Sequence, residues 1–355
     1  MKYKNRLWLI GVLILFLQCG TFSFRNPSRF IRLGVVGDIM CHSSQLNVYH
    51  NKKTNSFSAD QSFKYVSERL QSFDLLLGNL ETTIVPKSAD YSGYPRFGAP
   101  IGFLESVQKA GFHLLSTANN HSADKGEIGI DFTIESIFKL NMIPLGTFSS
   151  ESDYTKRRHV KINKNDLQIS IFNYTYSTNG IKVPKGRIVR LLDEQLIVSD
   201  LAEAKKDRSH LIIVWYHFGK EYSEEPNDEQ KRWVTLALEN GADIVLGGHP
   251  HVVQRFERQD HKFIAYSLGN FLSAQNHPYT DGGVILDLAI EITGEQKKIV
   301  SIDLIPVWVK PGSYEIIPIH DFLDGKVPID LTRQNVLKLK QYHQKWKQIM
   351  ERNRL

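Results

Sequence analysis

Two histidines separated by one proline follow a pair of glycines in the segment Gly247–Val253, GGHPHVV. The segment comes directly after ADIVL, an apolar run typical of a buried strand. An H-x-H at the end of a strand can aim two imidazoles, those of His249 and His251, at neighbouring positions. Pro250 stiffens the link between them, and glycine lets other backbone approach closely. The pattern predicts a pair of metal ligands.

Other side chains of the ligand type also follow apolar runs. They are Asp38; Asn79 and Glu81; Asn119, Asn120 and His121; and His217. Binding sites in layered α/β folds lie outside the carboxyl ends of the strands, so these side chains are expected to converge on one rim. Taken singly, Asp38 fits a turn, Glu81 a helix cap, Asn119–His121 a polar turn and His217 a hydrogen-bonded core histidine. Together, oxygen and imidazole donors suit one or two divalent ions of Mn, Fe, Zn or Co.

The elements that must position these residues alternate between apolar strands and amphipathic helices, which predicts an α/β fold. The predicted strands are IRLGVVGDIM, FDLLLGNLE, FHLLSTANNH, MIPLG, DLQISIFNYTY, HLIIVWYHFG and DIVLGGHPH. The predicted helices are QSFKYVSERLQS, GFLESVQKAG, IGIDFTIESIFKLN, LDEQLIVSDLAEAKK and NDEQKRWVTLALENGA. The Gly/Pro/Tyr-rich loop KSADYSGYPRFGAP is interpreted as a lid over the substrate.

The C-terminal part has a different pattern, with strands in direct succession. They are HKFIAYSLGNF, GGVILDLAIEI, KIVSIDLIPVWV and SYEIIPI, and they predict an antiparallel region. A basic helix over residues 331–355 ends the chain. We interpret it as a packed surface helix, with contact to a membrane surface as the alternative.

The N-terminus combines a basic start, MKYKNR, with the apolar run LWLIGVLILFL and then Cys19. The run is shorter than the about 20 residues that a spanning helix needs. Residues 1–18 are predicted to be a signal peptide, with lipidation of Cys19 preferred over an uncleaved anchor or cleavage further on. All three outcomes predict an extracytoplasmic protein at a membrane, periplasmic or on the cell surface.

Composition and charge limit the possible partners. The 355-residue chain is 41% hydrophobic and 23% charged, which is typical of a globular protein with a large core. Removal of residues 1–18, with Lys2, Lys4 and Arg6, lowers the formal net charge from +6 to +3. So small a charge argues against nucleic acid as a partner.

Several of these motifs together resemble the bacterial capsule synthesis, or poly-γ-glutamate biosynthesis (CapA-type), family of the calcineurin-like metallophosphoesterase superfamily. They are GDIM, GNLETTIV, STANNHSADKGEIGI, WYHFGKEY, GADIVLGGHPHVVQ and IAYSLGNF. The resemblance implies a four-layer α/β/β/α sandwich over residues 31–275. Strands within residues 276–330 are expected to complete this sandwich, and the terminal helix follows them. The resemblance also implies a two-metal site.

The resemblance assigns roles to individual residues. The implied metal ligands are Asp38, Glu81, Asn120, His217, His249 and His251. His121 matches the histidine that assists a leaving oxygen, and Asp124 is predicted to orient it in catalysis. Asn79, Asn119, Glu221 and Asn270 are predicted to bind substrate, and Glu221 is also a candidate to orient His217.

The first motif departs from the superfamily pattern. Where Asp-x-His is usual, this chain has Asp38-Ile39-Met40, and a thioether is a poor ligand for a hard or borderline dication. Cys41 and His42 follow closely and are considered as substitutes, although Cys41 also fits a buried small hydrophobe.

Three functions stay open from the sequence. A metal-dependent hydrolase would cleave a phosphoester, or a γ-glutamyl or cell-wall peptide bond. A non-catalytic subunit would guide an anionic polymer beside other subunits of a synthesis and export machine. A nucleotidase or cyclic-nucleotide phosphodiesterase of the same superfamily is disfavoured by Met40. The preferred prediction is a membrane-anchored protein of capsule, or poly-γ-glutamate-like surface polymer, biosynthesis.

Overall fold

The computed structural model describes residues 27–353 and residue 355. The predicted signal peptide, residues 1–18, and Cys19 lie outside the described residues. Among the helices of the described part, none combines the length and the apolar character needed to cross a lipid bilayer.

The described residues form strands and helices that alternate through most of the chain. The strands are β1 Ser28–Ile39, β2 His50–Asn51, β3 Ser56–Phe57, β4 Leu75–Leu80, β5 Thr83–Ile84, β6 Gly98–Ala99, β7 Leu114–Ser116, β8 Ile143–Leu145, β9 Thr147–Phe148, β10 Val160–Lys164, β11 Leu167–Thr175, β12 Ile188–Val189, β13 Leu211–His217, β14 Ile244–Gly248, β15 Phe256–Gln259, β16 Lys262–Ala265, β17 Asn270–Leu272, β18 Gly282–Thr293, β19 Gln296–Val309 and β20 Ile316–Pro318. The α-helices are α1 Ser43–Tyr49, α2 Ser67–Gln71, α3 Ile101–Lys109, α4 Gly126–Lys139, α5 Glu151–Arg157, α6 Glu194–Lys206, α7 Asp228–Glu239, α8 Ile319–Leu323 and α9 Arg333–Glu351, with 3₁₀ turns at Asp60–Phe63 and Ser88–Asp90.

Two sheets dominate the fold. The larger has the strand order β20-β19-β18-β1-β4-β7-β8, with β17 also paired to β1. The smaller has the order β10-β11-β13-β14-β16-β15. The strands β1, β4, β7 and β8 run parallel, as do β11, β13, β14 and β16. Both sheets therefore have a parallel centre whose carboxyl ends form one edge.

The two sheets pack face to face over a shared apolar core. Successive side chains of a strand point to opposite faces, so Val35 and Ile213 lie in this core while Val36 and Val214 point away from it. The outer face of the larger sheet packs against α3, and that of the smaller sheet against α6 and α7. The predicted mixed α/β class of fold is confirmed.

The C-terminal strands belong to the larger sheet rather than to a separate unit. β18 pairs antiparallel with β1, and β19 and β20 continue this antiparallel part. Helix α9 then buries Leu339, Tyr342, Trp346 and Ile349, which recur every three to four residues along it. These contacts agree with the packed-helix interpretation of the last segment.

Two predicted elements differ in the structure. QSFKYVSERLQS is a 3₁₀ turn followed by the short helix α2, because Val66 has the non-helical φ/ψ pair of −122° and −17°. HKFIAYSLGNF is two strands, β16 in the smaller sheet and β17 in the larger. The chain passes between the sheets at Gly269, whose φ of +69° favours glycine.

Candidate metal centre

Strand register brings the predicted ligands together at the carboxyl ends of both sheets. Asp38 lies opposite Asn79 of β4 on one side and Asn270 of β17 on the other. In the smaller sheet, His217 at the end of β13 lies opposite Gly248 of β14. Since the two sheets face each other, the ends of β1, β4, β13 and β14 surround one polar centre.

Glu81 is the middle of this centre. Its Oε1 lies 3.6 Å from Nε2 of His217 and 3.8 Å from Nε2 of His251. This oxygen is buried and has no hydrogen-bond partner within the described residues. Two groups of ligand atoms, each within 4.8 Å of one another, share this carboxylate: Glu81 with His217 and His249, and Glu81 with Asp38 and His251. A shared carboxylate between two such groups is an arrangement for two neighbouring cations.

His251 is held by hydrogen bonds on one ring nitrogen. Its Nδ1 lies 3.1 Å from Asp38 Oδ2 and 3.1 Å from Asn270 Oδ1, both acceptors. Asn270 is held in turn, because its Nδ2 donates to Gln275 Oε1 and to the Thr280 carbonyl, both at 2.8 Å. The proton is therefore on Nδ1, and Nε2 is the nitrogen that faces Glu81. Such an oriented imidazole is the usual form of a histidine metal ligand.

Two of the predicted substrate residues have their amide groups engaged within the protein. Asn79 Nδ2 donates to Asp38 Oδ1 at 2.8 Å and to Glu81 Oε2 at 3.2 Å. Asn119 Nδ2 donates to the Leu80 carbonyl at 2.8 Å, and its Oδ1 accepts from the His121 backbone N–H at 3.1 Å. These contacts give both residues a role in holding ligands and the loop, and substrate contact stays a prediction.

Asn120 faces His217. Its Oδ1 lies 2.9 Å from His217 Nε2, whereas its Nδ2 is buried without a hydrogen-bond partner in the described part of the chain. His249 Nδ1 is likewise buried and unpartnered there. Unsatisfied polar atoms are rare in protein interiors, and their concentration here indicates a missing partner.

The electrostatics of the centre suit a cation. Burial raises the pKa of Glu81 well above its usual range, and the Asp38 charge raises it further. Burial also lowers the pKa of His217 well below its usual range, helped by the charges of His249 and His251. The pKa of His249 is lowered to about 3 by burial and by His251. His217 and His249 are therefore neutral, which is the form in which histidine binds metal ions.

The backbone of the HPH turn is strained. His249 has a φ of +97° and His251 a φ of +60°, values that residues with side chains adopt at a cost of about 1–3 kcal/mol each. A Cβ on Gly248 would lie 2.6 Å from Asp38 Oδ1, and one on Gly247 would lie 2.1 Å from the Tyr266 carbonyl oxygen. The glycine pair thus permits the close approach that the sequence predicted, and the turn aims both imidazoles at the centre.

His121 forms a dyad with Asp124 beside the ligands. His121 Nδ1 donates to Asp124 Oδ2 at 2.7 Å, and the same oxygen accepts from the Phe97 backbone N–H at 2.7 Å. The edge of the Phe97 ring packs on His121 with the ring centroids 4.7 Å apart. These contacts orient the imidazole and leave Nε2 for a substrate.

A cavity of about 300 Å³ opens onto the centre. It is lined by Met40, His42, Tyr94, His121, Glu221, Tyr222, His251 and residues 274–277. Tyr94 belongs to the loop predicted as a lid. Glu221 is exposed in the cavity, where its carboxylate lies within 4.8 Å of ligand atoms of His249 and His251.

The two candidate substitutes for Met40 are engaged in other contacts. Cys41 is fully buried in the core against the outer face of the larger sheet. His42 Nδ1 lies 3.1 Å from Gln45 Oε1 and accepts from the Ala274 N–H at 3.3 Å. Among the described residues, neither joins a group of potential metal ligands.

Sequence reasoning missed two tyrosines at the centre. The Tyr176 ring lies 4.6 Å from the His249 ring, and the Tyr222 ring stacks 4.1 Å from that of His277. Burial raises the pKa of each tyrosine to about 12. Tyr222 directly follows Glu221 in the WYHFGKEY motif, so its position in the sequence indicated that it lies near the centre. Nothing in the sequence pattern indicated this for Tyr176.

The chain is similar in sequence to proteins of capsule synthesis. The family model described as bacterial capsule synthesis protein PGA_cap matches residues 32–275. The chain belongs to this bacterial capsule synthesis family. It is 29% identical over 327 residues to the PGA biosynthesis protein CapA of Bacillus subtilis (strain 168), covering 86% of this chain and 83% of that protein. It is 26% identical over 305 residues to the capsule biosynthesis protein CapA of Bacillus anthracis, covering 83% and 71%.

A solved structure shares the fold of this capsule synthesis family member. A phosphatase from Mycoplasma pneumoniae aligns with a TM-score of 0.51 at 13% identity, covering 80% of this chain and 94% of that chain. At this identity the likeness concerns the fold. The predicted family is confirmed, and the predicted mixed α/β fold is shared with this phosphatase.

Proposed function

We propose that this protein is a metal-dependent hydrolase acting in surface polymer biosynthesis, held at a membrane outside the cytoplasm by its N-terminal segment. The observation that carries the hydrolase proposal is the buried, unpartnered Oε1 of Glu81 between the Nε2 atoms of His217 and His251. Family membership and the names of the two relatives support the proposed role in capsule biosynthesis.

The donor set fits two divalent ions. An ionised carboxylate without a partner costs several kcal/mol in a protein interior, and a cation beside it offsets this cost. Asp38, Glu81 and His251 would hold one ion, and Glu81, Asn120, His217 and His249 the other. Carboxylate, amide and imidazole donors together suit Mn, Fe, Zn or Co.

The chain's own residues define the remaining chemistry. Bound divalent ions would polarise a phosphoryl or carbonyl oxygen and neutralise its charge. His121 lines the cavity and would give a proton to the leaving oxygen or nitrogen from Nε2. Asp124 stabilises the protonated ring through its hydrogen bond to Nδ1. The same residues serve a phosphoester or a γ-glutamyl or cell-wall peptide bond, since both reactions develop negative charge on oxygen.

Metal content tests this proposal most directly. Full-length protein offered Mn²⁺ and Zn²⁺ is expected to contain about two ions per chain by elemental analysis. The double variant His249→Ala/His251→Ala should lose them. The matched control is His320→Ala/His343→Ala, which removes another pair of contacting histidines, with ring centroids 5.3 Å apart. A folded wild type without metal would contradict the hydrolase proposal.

A second candidate function is a non-catalytic subunit that guides an anionic polymer. A larger cavity of about 630 Å³ adjoins the first and shares residues 274–277 with it. Lys338, Gln341, Lys345 and Gln348 of α9 line this cavity. Lysines and amides on one helix face can bind the carboxylates and amides of an extended chain.

Complementation separates the two functions. In a strain that lacks this protein and needs it for polymer export, the His121→Ala variant should fail if hydrolysis is required. Export restored by His121→Ala, but lost in a Lys338→Glu variant, would favour the guiding subunit. Lys340→Glu is the control, because Lys340 is exposed on α9 outside the cavity lining.

The membrane anchor has its own test. Cys19 lies at the end of an apolar run that follows a basic start, so we propose that it carries the lipid. Cys19→Ala should abolish metabolic labelling with a fatty-acid analogue, and Cys41→Ala should leave labelling unchanged. Equal labelling of the Cys19→Ala variant would contradict lipidation at this residue.

A further inference from the structure

Met40 stands where the sequence pattern usually has a histidine ligand, so one of the two ligand groups has one metal-ligating side chain fewer. Met40 is 1% exposed, and its Sδ accepts a hydrogen bond from Ser273 Oγ at 3.7 Å. This leaves Asp38, Glu81 and His251 as the first group, three protein donors for an ion that prefers at least four.

Glu221 lies beside His251, which is a member of that group. It lines the same cavity as Met40 and His251. Its carboxylate and one ring nitrogen each of His249 and His251 lie within 4.8 Å of one another. The Nδ1 of His249 is buried without a hydrogen-bond partner in the described residues, so this group has an unmet polar atom besides the exposed carboxylate.

The segment that carries Glu221 is fixed against the histidine turn. The backbone N–H of Tyr222 donates to the Pro250 carbonyl at 2.8 Å. Pro250 lies between His249 and His251, so the contact couples the position of Glu221 to both imidazoles. The carboxylate of Glu221 is therefore held close to the position that an ion bound to His251 would take.

We infer that Glu221 is a metal ligand that supplies, beside His251, the donor that Met40 does not provide. The inference rests on the proposed function, because it assumes an ion at the first group. It replaces the two roles that the sequence suggested for Glu221, substrate binding and orientation of His217. A carboxylate here makes the first position richer in oxygen donors than the second. We therefore expect it to prefer Mn²⁺ over softer ions more strongly than the second position does.

Titration of the full-length protein with Mn²⁺ by calorimetry tests the assignment. Wild type should bind two ions. Glu221→Gln keeps the shape but removes the charge, and it should weaken one of the two binding events at least about tenfold while the other stays unchanged. Glu225→Gln is the control, since Glu225 pairs with Arg352 at 2.9 Å, away from the ligand groups.

The outcomes separate this inference from the proposed function. Two ions bound to Glu221→Gln with wild-type affinity would overturn the role of Glu221 and leave the metal centre standing. If the wild-type protein binds no ion, both the inference on Glu221 and the proposed function are wrong. A further variant sharpens the result: Met40→His combined with Glu221→Gln should recover the weakened event at least in part, because it returns a donor to the same position.

Discussion

The chain contains two clusters of histidine and carboxylate residues that differ in their surroundings. One is the centre around Glu81, and the other consists of His159, Glu203 and Asp207. In the second cluster, Lys161 Nζ lies 2.8 Å from Asp207 Oδ2, and Arg158 forms an ion pair with Glu203.

The described part of the chain places no such cations beside the carboxylates of the Glu81 centre. Within residues 27–353, neither Asp38 nor Glu81 forms an ion pair with a lysine or arginine. The carboxylates of this centre face the rings of His217 and His251 instead. The comparison teaches that residue types and distances do not by themselves define a metal site. What distinguishes the two clusters is whether the protein already neutralises its own carboxylates.

The strongest test of this comparison removes one histidine from each cluster. His217→Ala should abolish at least one of the two bound metal ions, because His217 Nε2 faces Glu81 and Asn120. His159→Ala should leave the metal content unchanged. It should instead lower the free energy of unfolding by about 1–3 kcal/mol, since it removes the 2.6 Å hydrogen bond to Ser170 Oγ. Elemental analysis and chemical denaturation measure the two effects, and metal loss in His159→Ala would invalidate the distinction.

A second test separates catalysis from metal binding within the Glu81 centre. His121→Ala should lower kcat about 10²- to 10⁴-fold while both metal ions are retained, because His121 belongs to none of the ligand groups that the described residues form. The loss should be larger for alkyl than for nitrophenyl phosphate esters, since a poor leaving group depends more on protonation. Asp124→Asn should have a smaller effect in the same direction. Equal losses for both leaving groups would contradict the general-acid role.

The smallest expected effect comes from making the second cluster resemble the first. The double variant Arg158→Gln/Lys161→Gln frees the carboxylates of Glu203 and Asp207, and His159 Nδ1 already lies 3.5 Å from Asp207 Oδ2. A weak additional Zn²⁺ should then bind in calorimetric titration and be lost again when His159→Ala is added. No additional binding would mean that protein cations are not what keeps metal from this cluster.

Much of the fold followed from local patterns. Apolar runs with β-branched residues predicted the parallel strands β1, β4, β13 and β14. Near the C-terminus, apolar runs that follow one another without helices between them predicted antiparallel pairing. The split of HKFIAYSLGNF was not predictable, because its apolar residues fill the core shared by both sheets and also the outer core of each sheet. A one-dimensional pattern records burial but not the sheet that provides it.

The candidate site was predicted as a set of residues, while several individual roles needed the structure. Asn79 and Asn119 are predicted to bind substrate, and the structure adds that their amides hold Asp38, Glu81 and the backbone at Leu80 and His121. Tyr176 belongs to none of the motifs, and it contacts His249, which lies 73 residues further along the chain. Such contacts depend on how two sheets face each other.

The sequence by itself determined the family, the order of the elements and the types of donor at the strand ends. These depend on local periodicity and on side-chain chemistry, both of which are written along the chain. Tertiary structure decided that Glu81 is shared by two ligand groups, that Glu221 faces His249 and His251, and that the His159 cluster is neutralised by cations. Each of these depends on the register between distant strands and on which charges the folded chain brings within a few ångströms.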